Sequence, residues 1–286
     1  MTRVFHASDF DYHLPSDRIA QEPLEDRAAS RLLVLERATG AIRHRHFPDV
    51  VELIPPGDVL VLNTSRVIPA RLHGMRDAGS GMRGAGGRAE ILLVRELPDE
   101  TWLAMGHPGG KLKPGRRVVF GDDSAVEIVE MLGGGLRRVR FVGALDARAT
   151  VAKYGEVPLP PYIRRAPTLA DRERYQTVYA EHDGSVAAPT AGFHFTPDLL
   201  DRLRAKGVTL ASLDLHVGPG TFKPVETDDL AGHPMYPEPY EIPAGTAAII
   251  NEKKGAGCGV WAVGTTVVRT LESAADERGQ VRPGAA

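Results

Sequence analysis

An α/β domain split by a small inserted β-barrel is the fold this sequence predicts, and three observations predict it. Over the first 65 residues, short apolar runs rich in β-branched side chains alternate with helical patterning. From about Pro69 to residue 145, strand follows strand across Gly-rich turns with no convincing helix. Helical patterning then returns at Asp146. Residues 1–69 and 146–286 are therefore expected to pack as one discontinuous α/β domain, with 70–145 projecting from it as a barrel. A chain of 286 residues is long enough for two modest cores.

The elements follow in order. RLLVLER and AIRHRHF read as two strands around the Ala38-Thr39-Gly40 turn, Asp49 to Leu53 as a brief helix, and DVLVLN as a short buried strand. In the insert, AEILLVREL, TWLAMG, RRVVFGD, AVEIVEML and LRRVRFVG succeed one another at the spacing of a closed or nearly closed sheet. A literal GxGxxG at Gly79, Gly81 and Gly84 is rejected as a dinucleotide fingerprint, because a strand and not a helix follows it. It reads as a hairpin tip. Helices are expected over 146–154 and 171–181. Thr196, Pro197 and Asp198 are N-cap, first helical residue and first-turn acid of a helix running to about Lys206 and stopping at Gly207. The run 208–217 reads as a strand broken by Gly218-Pro219-Gly220. Val260 to Val263 read as a buried strand, after which Thr265 or Thr266 caps a helix carrying Val268, Leu271 and Ala275 at helical spacing.

Composition excludes several classes. At 42% hydrophobic and 25% charged, with no apolar run near a membrane span and no signal-peptide core in MTRVFHASDFDYHLP, a cytoplasmic globular protein is expected. The single Cys258 excludes an intramolecular disulfide and a cysteine zinc cluster, and reads as a small buried strand residue. Net charge is −2, yet 13 Arg and Lys face 9 Asp and Glu between Arg66 and Arg140. Lys111, Lys113, Arg116 and Arg117 form one cluster there, and Arg137, Arg138 and Arg140 a second. Charge runs are usually solvated faces, but two in one β-rich region would suit a phosphate backbone.

The chemistry-shaped text lies in residues 184–225. His194 sits just ahead of a helix N-terminus and His216 at the carboxyl end of a strand, the usual edge for ligands in α/β sheets. A lone histidine among apolar residues is more often a satisfied core side chain. Two on consecutive boundaries, each beside glycine, make a site worth testing, and the two imidazoles are expected to converge in one cleft. The Gly264-Thr265-Thr266 turn into a helix offers partnerless amides and a positive dipole to a carboxylate or phosphate. His44 and His46 share a strand face without further ligands nearby, which points away from metal. No Walker lysine pair, HExxH or GxSxG occurs.

Taken together, RIAQEPLEDRAASRLLVL, DVLVLNTSRVIPARL, GEVPLPPYIRR, the 184–225 stretch and AVGTTVVRTLES resemble the S-adenosylmethionine:tRNA ribosyltransferase-isomerase family of queuosine synthesis, in order from Phe10 to about Ala275. The resemblance implies a two-domain protein of the kind read above. It also implies transfer and isomerisation of the ribosyl part of S-adenosylmethionine onto 7-aminomethyl-7-deazaguanine at the tRNA wobble position. Epoxyqueuosine forms, and adenine and methionine leave. S-adenosylmethionine is then a co-substrate, with no separate cofactor and no metal, and the partner is tRNA, with no membrane and a monomeric chain expected.

In the family's mechanism a base removes a proton from the ribose 5′ carbon beside the sulfonium, a task suited to an imidazole. The resemblance assigns this acid-base work to His194 and His216, without saying which is the base. It places Thr265, Thr266 and Arg269 on the methionine carboxylate or a phosphate. Asn63, Ser65, Arg66 and Arg71 fall to the modified base or the anticodon backbone, and Phe195 (or Phe193) to stacking on a base. Thr190, Gly218, Gly220 and Thr221 complete the implied substrate site. Arg164 and Arg165, with Lys111, Lys113 and Arg116, are expected to meet tRNA phosphates.

Three departures stand out. Met235-Tyr236-Pro237-Glu238 replaces an MHxE-like motif, and Val267 stands where the family has a hydroxyl. The family is also expected to continue for roughly 50 to 70 residues past the VRTLES helix, about half a small domain, with an NFHLP-like motif. An exposed sheet edge and weakened or absent activity would follow. The competing readings are a tRNA-binding homologue impaired in catalysis, and a metal-assisted hydrolase using His44, His46, His194 and His216.

Overall fold

The run Val59–Asn63 is buried at all five positions, as befits a strand covered on both faces. It lies at the heart of a five-stranded sheet. Thr209–Leu215 and Val260–Ala262 flank it in parallel, and Tyr240–Ile242 and Gly284–Ala285 extend the sheet antiparallel beyond Thr209–Leu215. Because side chains alternate along a strand, the central one feeds two cores. Leu60 and Leu62 pack with Leu199 and Leu203 of the helix Pro197–Ala205. Val59 and Val61 pack with Ile250 of the helix Ala244–Gly255 and Val267 of the helix Gly264–Ala274. The computed structural model describes residues 5–77, 85–222, 225, 227–233 and 235–286. The GxGxxG match at Gly79, Gly81 and Gly84 lies outside the described residues.

Local chemistry explains the helix before the second parallel strand. The Thr196 hydroxyl accepts the Leu199 N–H at 3.2 Å, Pro197 opens the first turn, and Gly207 leaves the helix at φ +93°. The segment over 146–154 behaves likewise, as helix Ala147–Tyr154 capped by Asp146. Other expectations are corrected. The strand Val260–Ala262 is exposed at every position, because it is the sheet's edge and pairs with Val59–Asn63 alone. Its Trp261 indole is tied down by the Asp58 carboxylate at 2.8 Å. Helix Gly264–Ala274 begins after Val263 with no side-chain cap, so Thr265 and Thr266 stand inside its first turn. Its buried face is Val267, Thr270 and Ala274, and Val268 is exposed. Cys258 lies in the connection before the edge strand, half-buried.

Residues from Arg71 onward build a second, seven-stranded sheet. Its order runs Gly155–Glu156, Arg71–Asp77, Ala85–Glu96, Trp102–His107, Leu136–Val142, Ala125–Gly133 and Arg117–Val119, all antiparallel. Arg117–Val119 also pairs with Arg71–Asp77 through Met75 with Val119 and Arg76 with Val118, so the order returns to an earlier strand. Leu72, Ile91, Leu93, Leu112, Ile128 and Val139 fill its interior, and Trp102 meets Phe141 edge-on at 6.2 Å. The second basic cluster is not a free surface. Arg137 is buried, donating to the carbonyls of Leu112, Gly135 and Gly109, while Arg138 and Arg140 face Glu130 and Glu127. Two small sheets complete the fold: Arg31–Leu35 with Ile42–His46, antiparallel, and His182–Ser185 with Ser65–Val67, parallel.

The helix expected over 171–181 stops at Arg174, because Gln176 is drawn aside to clasp the backbone of Val67 through both ends of its amide. Asp171 opens this short helix. Its carboxylate accepts from the Arg165 guanidinium at 2.6 and 2.8 Å and from the Thr168 N–H and hydroxyl, which holds its pKa down at about 2. A folded-state pKa below the unfolded value adds stability above pH 4, lost as the pH falls through about 2. Asp171→Asn is expected to remove on the order of 1–2 kcal/mol at neutral pH and to flatten the acid limb of a urea-midpoint profile.

Candidate active site at the carboxyl edge of the parallel strands

The three parallel strands end together. Ala262 aligns with Val61, and Leu213 with Asn63, so Asn63-Thr64, His216 and Gly264 all emerge on one edge of the sheet. The strand His182–Ser185, beside Ser65–Val67, carries Asp183 and Gly184 to the same place. Gly264 presses on Ala191, where a Cβ would meet the alanine methyl at 3.1 Å, so the turn Thr190–His194 lies against the start of the last long helix. That helix start has no side-chain cap. Its first amides and positive dipole face this edge.

Two hollows open here. The first, of about 450 Å³, lies between Trp102, Met105 and Leu136 of the seven-stranded sheet, Asp183 of the strand His182–Ser185, and His216 and Tyr236 of the loops. The His216 N–H donates to the Pro239 carbonyl at 2.9 Å, while its ring Nδ1 is buried with no hydrogen-bond partner among the described residues. The ring backs onto Gly184, whose φ of +148° and missing Cβ are both needed, since a Cβ there would stand 2.5 Å from Nδ1. Gly184→Ala is expected to push the imidazole out of place and to strain the backbone there, at about 1–3 kcal/mol of stability. Turnover of the protein that remains folded is expected to fall about tenfold or more.

The second hollow, of about 410 Å³, is walled by Tyr162, Tyr175 and Phe193 and bordered by Gln21, Thr190 and His194. His194 leans on Phe47 at 5.1 Å between ring centres. The two imidazoles therefore line separate hollows of one edge, and the expected convergence in a single cleft is not met. Phe195 explains why. It is 2% exposed and packs edge-on against Phe47 at 4.9 Å, which anchors the turn with His194 over Phe47.

A family model described as "Queuosine biosynthesis protein" matches residues 7–285. The chain belongs to that family. A relative from Syntrophotalea carbinolica, named S-adenosylmethionine:tRNA ribosyltransferase-isomerase, is 48% identical over 97% of this chain and 80% of its own length. A relative of the same name from Symbiobacterium thermophilum is 49% identical over 97% of this chain and 79% of its own. The crystal structure of an S-adenosylmethionine tRNA ribosyltransferase from Thermotoga maritima matches at 35% identity and a TM-score of 0.42, covering 93% of this chain and 72% of that one. No comparison supports a homologue impaired in catalysis. Among the described residues no group of three or more His, Cys, Asp or Glu is arranged to hold a metal ion. None of their helices is long and apolar enough to cross a membrane.

Several residues singled out for this family's substrates prove to be engaged in the fold. Asn63 is 1% exposed and bonds the Leu215 backbone through N–H and carbonyl, besides accepting from the Ser65 N–H. Ser65 is sealed beneath Ser185, whose hydroxyl also accepts the Val217 N–H. Phe195 is core. Arg66 donates to the Ala180 carbonyl, and Arg71 lies 3.5 Å from Glu90. Arg165 grips Asp171 and Glu22 and is no free phosphate ligand. Arg269 donates to Glu238 and to the Tyr236 carbonyl. Thr190, Thr221 and Thr265 are exposed, Gly218 and Gly220 line the first hollow, and the buried Thr266 hydroxyl has no partner among the described residues.

Sequence reading passed over other residues of this edge. Glu238 accepts from Gly218 and Arg269, and His182 meets Asp214 at 2.8 Å, with the Thr64 hydroxyl on the other carboxylate oxygen. The local signals for Glu238 are its place as the acid of Met235-Tyr236-Pro237-Glu238, to which sequence reading gives no role, and its setting between Pro237 and Pro239, which keeps the chain extended.

Proposed function

We propose that this chain is an S-adenosylmethionine:tRNA ribosyltransferase-isomerase. It moves and isomerises the ribosyl group of S-adenosylmethionine onto 7-aminomethyl-7-deazaguanine in the tRNA wobble position, forming epoxyqueuosine and releasing adenine and methionine. The single observation that carries the reading is His216. Its imidazole lines, at the carboxyl edge of the parallel strands, a hollow large enough for a nucleoside-sized ligand. A base there takes the proton from the carbon beside the sulfonium, whose positive charge stabilises the electron pair left behind. We assign the base to His216 rather than His194, which borders the neighbouring hollow and suits a contact with the adenine or the tRNA base.

The uncapped start of the helix Gly264–Ala274, with Thr265 and Thr266, suits the methionine carboxylate. Lys111, Lys113, Arg116 and Arg164 have no acidic partner among the described residues and suit tRNA phosphates. The division into a discontinuous domain, 1–69 with 146–286, and an inserted barrel, 70–145, draws support from the strand order that returns to Arg71–Asp77 and from the separate core around Ile91. S-adenosylmethionine serves as co-substrate with no further cofactor, and the chain works as a monomer in the cytoplasm. The test is to incubate the protein with S-adenosylmethionine and tRNA bearing the aminomethyl base, and to follow adenine by chromatography. Release matched by epoxyqueuosine in the tRNA is expected; none from folded protein overturns the assignment.

A further inference from the structure

The segment Tyr236 to Tyr240 reads YPEPY, and its two prolines supply no N–H while holding the residues before them extended. Such a segment offers its neighbours mainly carbonyls and the side chain between the prolines, and two of those carbonyls and that side chain hold the site loop and the last long helix. The Pro239 carbonyl accepts the His216 N–H at 2.9 Å, and the Tyr236 carbonyl accepts from Arg269 at 2.9 Å. The Glu238 carboxylate, 8% exposed, takes the Gly218 N–H at 2.8 Å on one oxygen and the Arg269 guanidinium on the other. Gly220 lies so close to the Tyr236 ring that a Cβ would meet it at 2.8 Å. The loop carrying His216 is thus pinned on both sides of the imidazole to one strap, and the strap is pinned to the helix Gly264–Ala274.

Arg269 stands about one and a half turns into that helix, roughly 7 Å along the axis from its uncapped start. We propose that Glu238 is a positioning residue, which fixes the His216 loop relative to that helix start. This rests on the reading of His216 as the base. Arg269 then acts through Glu238, and its guanidinium is no direct ligand for the substrate carboxylate.

Two measurements on the full chain decide the matter. Amide exchange at Gly218, a residue Arg269 does not bond, is expected to quicken about tenfold or more in Arg269→Gln, because the slackened carboxylate lets that N–H open. In the adenine-release assay, Arg269→Gln and Glu238→Gln are each expected to lower kcat about tenfold to a hundredfold, with KM for S-adenosylmethionine held within about threefold. The double variant is expected to be no worse than the worse single one. Arg269→Lys, which keeps the charge without the two-pronged reach, falls between. Unchanged Gly218 exchange in Arg269→Gln overturns the clamp, as do losses that multiply in the double variant. So does a lowered KM in Glu238→Gln, which would mean that Glu238 competes with substrate for Arg269. Should the wild-type protein release no adenine, the assignment of function falls, and Gly218 exchange still decides the clamp.

Discussion

His216→Ala is expected to lower adenine release by a factor on the order of a hundred or more, the scale on which a positioned base contributes. The loss should be in kcat. The ring is half-buried in the first hollow and makes no hydrogen bond that folding would miss, and the backbone N–H that holds the loop to Pro239 survives the change. Melting temperature should therefore stay close to wild type. His194→Ala is the informative comparison. Its ring borders the second hollow, so its loss should raise KM more than it lowers kcat. Losses within about threefold for His216→Ala would remove this residue from the proton transfer.

The largest stability effect is expected from Arg137. Its side chain is 2% exposed and no carboxylate pairs with it among the described residues; three backbone carbonyls, of Leu112, Gly135 and Gly109, hold it at 3.2, 2.7 and 2.8 Å. Burial pulls its pKa below the usual guanidinium value. Arg137→Met keeps most of the volume and relieves the buried charge, but leaves the three carbonyls without their donor. The Leu112 carbonyl belongs to a residue fully sealed from water, whereas Gly109 and Gly135 lie nearer the surface. With a sealed acceptor left unpaired at about 1–3 kcal/mol and two more weakened, a net loss of about 3 kcal/mol is expected in urea unfolding. A change under about 1 kcal/mol would mean that the desolvated charge nearly cancels its own bonds.

Arg137 also marks where sequence reading stops. Strands from Ala89 to Val142 were legible because turn glycines and alternating apolar residues are local signals, and the helix at Pro197 because its cap, proline and terminal glycine are neighbours in the chain. Whether an arginine faces water or a carbonyl cage is decided by partners up to 28 positions away. For Asn63 the deciding partner, Leu215, is 152 positions away. The candidate site divides along the same line. His216 at a strand end and the helix start at Gly264 were readable from their local patterns. Gly184, Asp183 and Glu238 were not, since only the assembled sheet edge brings them to His216 and Gly218. Val260 to Val263 reads as buried because an apolar run looks the same in the middle of a sheet as at its rim, and of the four only Val263 is buried.

The chain contains two tryptophans, Trp102 on Phe141 inside the seven-stranded sheet and Trp261 hydrogen-bonded to Asp58 on the rim of the five-stranded one. Each sheet thus carries one built-in fluorophore, the first in an aromatic, partly shielded setting and the second beside a carboxylate and water. Single Trp→Phe versions would give separate optical readouts of the two regions during denaturation, and emission from Trp102, which lines the hollow holding His216, would double as a gauge of ligand entry.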